Sequence, residues 1–246
     1  VSSALAARFR AIDEGTADDA EIAWWSTRFA PGGGTVLDVA CGSGRLLVPL
    51  RCTGVSIQGV DADSDAIALC EARLAVAGLD ATLYRQSPSA LNLPARYGAA
   101  IIGEGALRRL GSREDAAAAF ARVRAHLVGD AVLVVATAVP AYAHARYGAT
   151  LVELREAALD DGTRIRARFE IDPVPETGEA RVRTRYALRR GSAPIAEASA
   201  TTREAWFDAD ALVEAVTAAG WRETTIEAAP REPDDGATRF ALVAHG

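Results

Sequence analysis

The sequence predicts a doubly wound α/β fold with a small antiparallel β insertion near its carboxyl end. Two observations carry this. Residues 36–138 alternate short apolar runs with amphipathic stretches, the pattern of strands and helices wrapped into a parallel sheet. Residues 164–190 instead alternate apolar and arginine positions with a period of two, the pattern of strands with one wet face. With 246 residues, half of them apolar, the chain has material for one large domain carrying an insertion.

The boundaries read as an amino-terminal helical cap over 1–30, a main domain over 31–140 and 206–246, and an insertion over 141–205. In the cap, Thr16 followed by Asp19 suggests a capping box, and Ile22, Trp25 and Phe29 recur at helical spacing. Trp24 and Trp25 read as core, and "PGGG" at 31–34 ends the helix. "TVLDVA" and "VSIQGVD" are the first strands, followed by "SGRLLVPLRC" and "SDAIALCEARLAVAG" as helices. "AAIIGE" is a strand, because Ser112 and Asp115 cap the helix that begins near 113, and "DAVLVVATA" is the strand after it. In the insertion, "TRIRARFEI" and "EARVRTRYAL" pair through the turn residues of "DPVPETG", flanked by "LVELREAAL" and "IAEASATTREAWF". Asp208 caps a last helix that Gly220 stops, and "WRETTIEAA" and "TRFALVAH" close the chain as strands.

Bulk properties exclude several classes. A net charge of −6 argues against a general nucleic-acid binder. No apolar run approaches the ~18–20 residues of a membrane span, and "VSSALAARFRAIDEG" is too quickly interrupted by charge to be a secretory signal. Cys41, Cys52 and Cys70 form no C-x-x-C pair and have no His at metal-ligand spacing. They read as reduced thiols of a cytoplasmic protein with no metal. The expected partner is a small-molecule substrate.

Chemistry concentrates in "VLDVACGSGRLLVPL", residues 36–50. A strand ending in Asp38, then Ala40, Gly42 and Gly44 before a helix, builds a backbone pocket where doubly wound folds bind ligands. A nicotinamide fingerprint wants a third glycine where Leu47 stands. An acid just ahead of the turn suits a ligand with a cationic amino-acid tail instead. Asp61 ends the next strand, 19 residues beyond Gly42, where an acid reaches ribose hydroxyls.

With these residues in view, the chain resembles class I S-adenosylmethionine-dependent methyltransferases. "VLDVACGSGR" and "GVDADSDAIALCEARL" match their first two motifs, and "LNLPARYGAAIIGEGALRRL" and "AAAAFARVRAHLVGDAVLVV" look like later ones. The resemblance implies a Rossmann-like sheet of seven strands whose last pair contains one antiparallel strand. It implies S-adenosyl-L-methionine as cofactor, held by Asp38, Ala40, Cys41, Gly42 and Gly44, then by Asp61 and Ala62 at ribose and adenine. Ser87 stands where many members carry an aspartate for the adenine amine. Gly103 opens "GEGA", the motif facing methyl donor and acceptor. The insertion is similar to that of amino-sugar N-methyltransferases, where such strands cover the active site or join subunits as a homodimer.

Glu104 is the first catalytic candidate, as a base or as a holder of a substrate amine or hydroxyl, against the plainer reading of a helix-capping or solvated glutamate. His144 is the second, as a base near neutral pH or as a surface residue. Tyr142 and Tyr147 line a substrate pocket or pack a lid. Arg108 and Arg109 bind an anionic group or form salt bridges. The stripe of Arg164, Arg166, Arg168, Arg181, Arg183 and Arg185 is a wet sheet face with glutamate partners, a site for acidic substrate, or a subunit contact. The leading expectation is a methyltransferase acting on O or N of a small molecule by in-line transfer. The alternative is a non-catalytic binding protein of the same fold.

Overall fold

The computed structural model describes residues 2–29, 34–145, 148–230 and 236–246. Two helices lead, α1 (Ser2–Asp13) and α2 (Asp19–Ser26). Alternation follows: β1 (Val36–Val39), α3 (Leu47–Cys52), β2 (Ile57–Asp61), α4 (Ser64–Val76), β3 (Leu83–Arg85), β4 (Tyr97–Ile102), α5 (Ala106–Arg109), α6 (Arg113–Ala125) and β5 (Leu127–Val139). Four long strands come next, β6 (Leu151–Ala158), β7 (Arg164–Val174), β8 (Glu179–Arg190) and β9 (Ala193–Ala205). The chain closes with α7 (Ala209–Ala218), β10 (Arg222–Glu227) and β11 (Thr238–His245). Among the described residues, no helix is long and apolar enough to cross a membrane.

The main sheet has seven strands in the order β10-β11-β5-β4-β1-β2-β3, with β11 antiparallel to both neighbours. The seven-stranded sheet and its reversed strand agree with the expectation. Strand order reverses at β1, which pairs in parallel with β2 on one side and β4 on the other. That switch point opens a crevice at the carboxyl ends of β1 and β4. Side chains alternate along each strand, so the two sheet faces draw on different residues. Leu37 and Val39 pack with Phe120, Val123 and Trp221, whereas Val36 packs with Trp25, Leu47 and Leu50.

Local signals fix several ends. Ser112 and Asp115 form the capping box of α6, and Asp208 caps α7. The cap of α2 is Asp18 rather than Thr16. Its carboxylate accepts the Glu21 N–H at 2.8 Å, a charge-assisted bond that starts the helix at Asp19. Residues 31–33 of "PGGG" lie outside the described residues.

The second sheet has the order β6-β7-β8-β9, all antiparallel. Its inner face buries Ile165, Ala167 and Tyr186 against Leu5, Ala6 and Phe9 of α1. Its outer face carries the arginines, several paired with acids: Glu156 with Arg164 and Arg166, Glu170 with Arg168 and Arg183, Asp172 with Arg183. The helix α1 thus lies between the sheets and belongs to neither alone.

Phe120 is fully buried in the main core, so Phe120→Ala should cost about 3–5 kcal/mol of unfolding free energy. Ser112→Ala, which removes one half of a capping box, should cost about 1 kcal/mol. Urea titration of the two variants beside the parent checks both size and order.

Candidate active site

The turn after β1 is built by backbone conformations that few residues accept. Ala40, Gly42 and Gly44 all have positive φ, at 57°, 56° and 80°, and for alanine this stores about 1–2 kcal/mol of strain. The two glycines serve different ends. A Cβ on Gly42 would meet nothing within 4 Å, so its face is open space. A Cβ on Gly44 would lie 2.7 Å from Cys70 Sγ and 2.9 Å from Val48 Cγ2. Gly44 therefore permits the turn to pack on α3 and α4, and it does not border the cavity described below.

Asp61, at the end of β2, holds this turn. Its Oδ2 accepts the Gly42 N–H and its Oδ1 the Asp63 N–H, both at 2.8 Å. Asp63 in turn caps α4 and pairs with Arg10 of α1 at 2.6 Å. Asp38 sits behind the turn, 3% exposed. Burial first, and the nearby Asp61 charge second, push its carboxyl up to about 8, against the opposing pull of Arg45. Arg45 follows the turn and makes a two-armed pair with Glu21 of α2, at 2.7 and 2.8 Å, with both side chains nearly buried. This pair joins α2 to the glycine turn.

A cavity of about 1110 Å³ opens at the carboxyl ends of β1, β2 and β4 and extends to α1 and the inner face of the second sheet. Of the expected cofactor residues, Ala40, Gly42, Asp61, Ala62 and Ser87 border it. Asp38, Cys41, Gly44 and Gly103 do not. The Cys41 thiol points into the core, where its hydrogen bond with Cys70 and burial push its pKa well up. A Cβ on Gly103 would lie 2.6 Å from Leu46 Cδ1, so this glycine makes room for the helix start rather than for a ligand. The Ser87 hydroxyl is 3.0 Å from that of Ser89.

Beyond β4, Glu104 borders the cavity with its Oε1 accepting from Arg239 Nε of β11 at 3.0 Å. Its other oxygen has no partner among the described residues, so one side of the carboxylate is fixed and the other faces the cavity. After β5, Tyr142 donates its hydroxyl to Glu204 of β9 at 3.0 Å, and Arg108 of α5 stands 3.8 Å from the same carboxylate. Burial and the Glu204 charge push the Tyr142 phenol well above its ordinary value, so it remains a donor. His144 also borders the cavity, on an exposed turn. Tyr147 lies outside the described residues. Sequence reasoning missed Glu21, Arg45, Glu204 and Arg239. The arginine directly after the glycine turn was the one local signal available.

Residues 36–130 match a family model described as a methyltransferase domain. No functionally curated protein matches the chain. Among solved structures, an S-adenosylmethionine-dependent methyltransferase from Clostridium acetobutylicum superposes with a TM-score of 0.75 at 14% identity, covering 98% of this chain and 96% of its own. A sugar N-methyltransferase from a Streptoalloteichus species gives 0.71 at 19%, over 96% and 90%. An amino pentose methyltransferase of calicheamicin biosynthesis from Micromonospora echinaspora, solved with SAM bound, gives 0.67 at 22%, over 98% and 95%. The chain has the S-adenosylmethionine-dependent methyltransferase fold.

Asp38 makes stability depend on pH. Between 3.8 and about 8 its carboxyl holds a proton in the folded protein and loses it in the unfolded chain. Folding takes up a proton across that window, so this contribution is lost as pH rises through it. Urea unfolding from pH 5 to 8 should show the parent losing up to about 1.4 kcal/mol per pH unit relative to Asp38→Asn. Parallel curves would remove the buried proton from Asp38.

Proposed function

We propose that this protein is an S-adenosylmethionine-dependent methyltransferase that moves a methyl group onto an oxygen or nitrogen of a small molecule. The observation that carries the reading is the open turn at Gly42, clamped by Asp61 at the switch point of the sheet and facing a large cavity. Drug-sized ligands fill pockets of about 300–1,000 Å³, and the cavity exceeds that range at about 1110 Å³. The residues present suit the cofactor. Asp61 offers carboxylate oxygens to ribose hydroxyls, with Ala62 and Ser87 beside it, and the space over Gly42 lets a ligand approach backbone closely.

When bound, S-adenosylmethionine supplies a methyl carbon already activated by a sulfonium. The protein's task is then to hold an acceptor lone pair in line with that carbon and to keep water out. Glu104 is suited to orient the acceptor, since its open oxygen can accept an O–H or N–H while Arg239 fixes the other. Arg239 is a positioning residue in this scheme. Tyr142 adds a hydroxyl donor to the same chamber, held by Glu204. The second sheet and α1 roof the site.

Calorimetry with S-adenosylhomocysteine tests the reading. Binding is expected, and Asp61→Ala should weaken it about 10- to 100-fold, the loss of hydrogen bonds to a charged group. Absence of heat with the parent protein would sink the proposal. For the acceptor side, Glu104→Gln should lower kcat at least about tenfold with cofactor affinity intact, and Arg239→Lys should retain more activity than Arg239→Gln. Equal loss in the two Arg239 variants would deny Arg239 its positioning role.

A further inference from the structure

Three of the four residues 42–45 are each held by a charged side chain from a different element. Asp61 of β2 takes the Gly42 N–H. Arg73 of α4 donates through Nη1 to both the carbonyl and the hydroxyl of Ser43, each at 3.1 Å. Glu21 of α2 holds Arg45 with two arms, at 2.7 and 2.8 Å. Gly42, Ser43 and Arg45 border the cavity, whereas Arg73 and Glu21 do not. Two of the three restraints on the turn therefore come from side chains that lie outside the site.

The helix α4 acts on the turn from one face. Cys70 and Arg73 stand three residues apart, which makes them neighbours on a helix surface. Cys70 bars a Cβ from Gly44, and Arg73 fixes Ser43 beside it. Nη2 of Arg73 also donates to the Ala11 carbonyl of α1 at 2.9 Å, so its guanidinium is held on two sides. In α2, Glu21 and Trp25 are the two buried residues, one helical turn apart. Trp25 is fully buried and can dock the helix through apolar burial alone. A buried ion pair adds little net stability over apolar packing of the same size, because both charges leave water. What it adds is direction, since two parallel N–H···O bonds fix the plane of a guanidinium as well as its distance. Arg45 lies between Gly44 and Leu46, the cap residue of α3, so the restraint falls where the turn passes into the helix.

Resting on the methyl-transfer reading above, we infer that Arg73 and Glu21 are positioning residues for the cofactor. Acting through Ser43 and Arg45, they hold the turn in its ligand-receiving conformation before the ligand arrives. A turn with glycines at 42 and 44 has other conformations open to it. A ligand that needs one of them binds more weakly in proportion to the population of that conformation. Cofactor affinity is thus set in part by two side chains that do not touch the cofactor.

The test is calorimetry of the full chain with S-adenosylhomocysteine and with 5′-methylthioadenosine, which keeps the nucleoside and lacks the amino-acid tail. Arg73→Gln and Glu21→Gln should each weaken S-adenosylhomocysteine about tenfold, the loss expected if an untethered turn is ligand-ready about a tenth of the time. For 5′-methylthioadenosine the loss should be about twofold or less, because Asp61 still serves the ribose. Urea curves give the folded fraction of each variant, so affinity is counted per folded molecule, a quantity that a purely structural role leaves unchanged. Glu227→Gln removes the partner of Arg28 just after α2; it is the control and should alter neither affinity. If Glu21→Gln fails to fold, the half-buried Arg73 position decides alone. The positioning role would be overturned by parent-like S-adenosylhomocysteine affinity in Arg73→Gln, by equal losses for the two ligands, or by the same loss in Glu227→Gln. Each of these leaves the cofactor reading intact. Failure of the parent to bind S-adenosylhomocysteine would bring down both.

Discussion

A single carboxylate, Asp61, organises the crevice. Parallel pairing sets Asp38 opposite Gly59 and Val39 opposite Val60, so Asp61 emerges one step past the point where β1 gives way to its turn. From there it takes the Gly42 N–H. The hydrogen bond requires the turn to fold back with positive φ, which is why Ala40 is strained and Gly42 is glycine. The same closeness brings two carboxylates together behind one turn. They cannot both ionise cheaply in a buried place, so Asp38, the deeper one, keeps its proton. Arg45 would tip that balance if it were free, but Glu21 holds it with both arms.

The roof follows a different logic. Three ion pairs fasten α1 and the residue after it to three separate elements: Arg10 to Asp63, Asp13 to Arg155 and Glu14 to Arg109. Each is partly exposed, so each contributes about 0–1 kcal/mol. Their sum cannot hold a helix in place. The packing of Leu5, Ala6 and Phe9 against Ile165, Ala167 and Tyr186 does that, since a fully buried large apolar side chain contributes about 1.5–3 kcal/mol.

Much of this was legible in the sequence because the signals are local. Period-two alternation gave β7 and β8 their inner and outer faces, and the acid that closes β2 could be counted from the glycine turn. The count of seven strands with one reversed came from resemblance, and the strand order was not foreseen, since nothing in one sequence says that β4 and not β3 neighbours β1. Residue roles within the turn were less legible. Gly42 and Gly44 look alike in sequence and both have positive φ, yet only one faces open space. Their difference is set by α4, which brings Cys70 against Gly44. Arg45 with Glu21, Arg239 with Glu104, and Tyr142 with Glu204 are 24, 135 and 62 residues apart, and no periodicity links such partners. Thr16 failed as a cap because a better acceptor, Asp18, stood two residues later.

The arginine content shows how misleading a count can be when pairing is unknown. Basic residues surround the cavity, and as a list they invite an anion. In three dimensions each one is matched to an acid from another element, so the charges serve to join α1, α2, α5, β9 and β11 around the chamber.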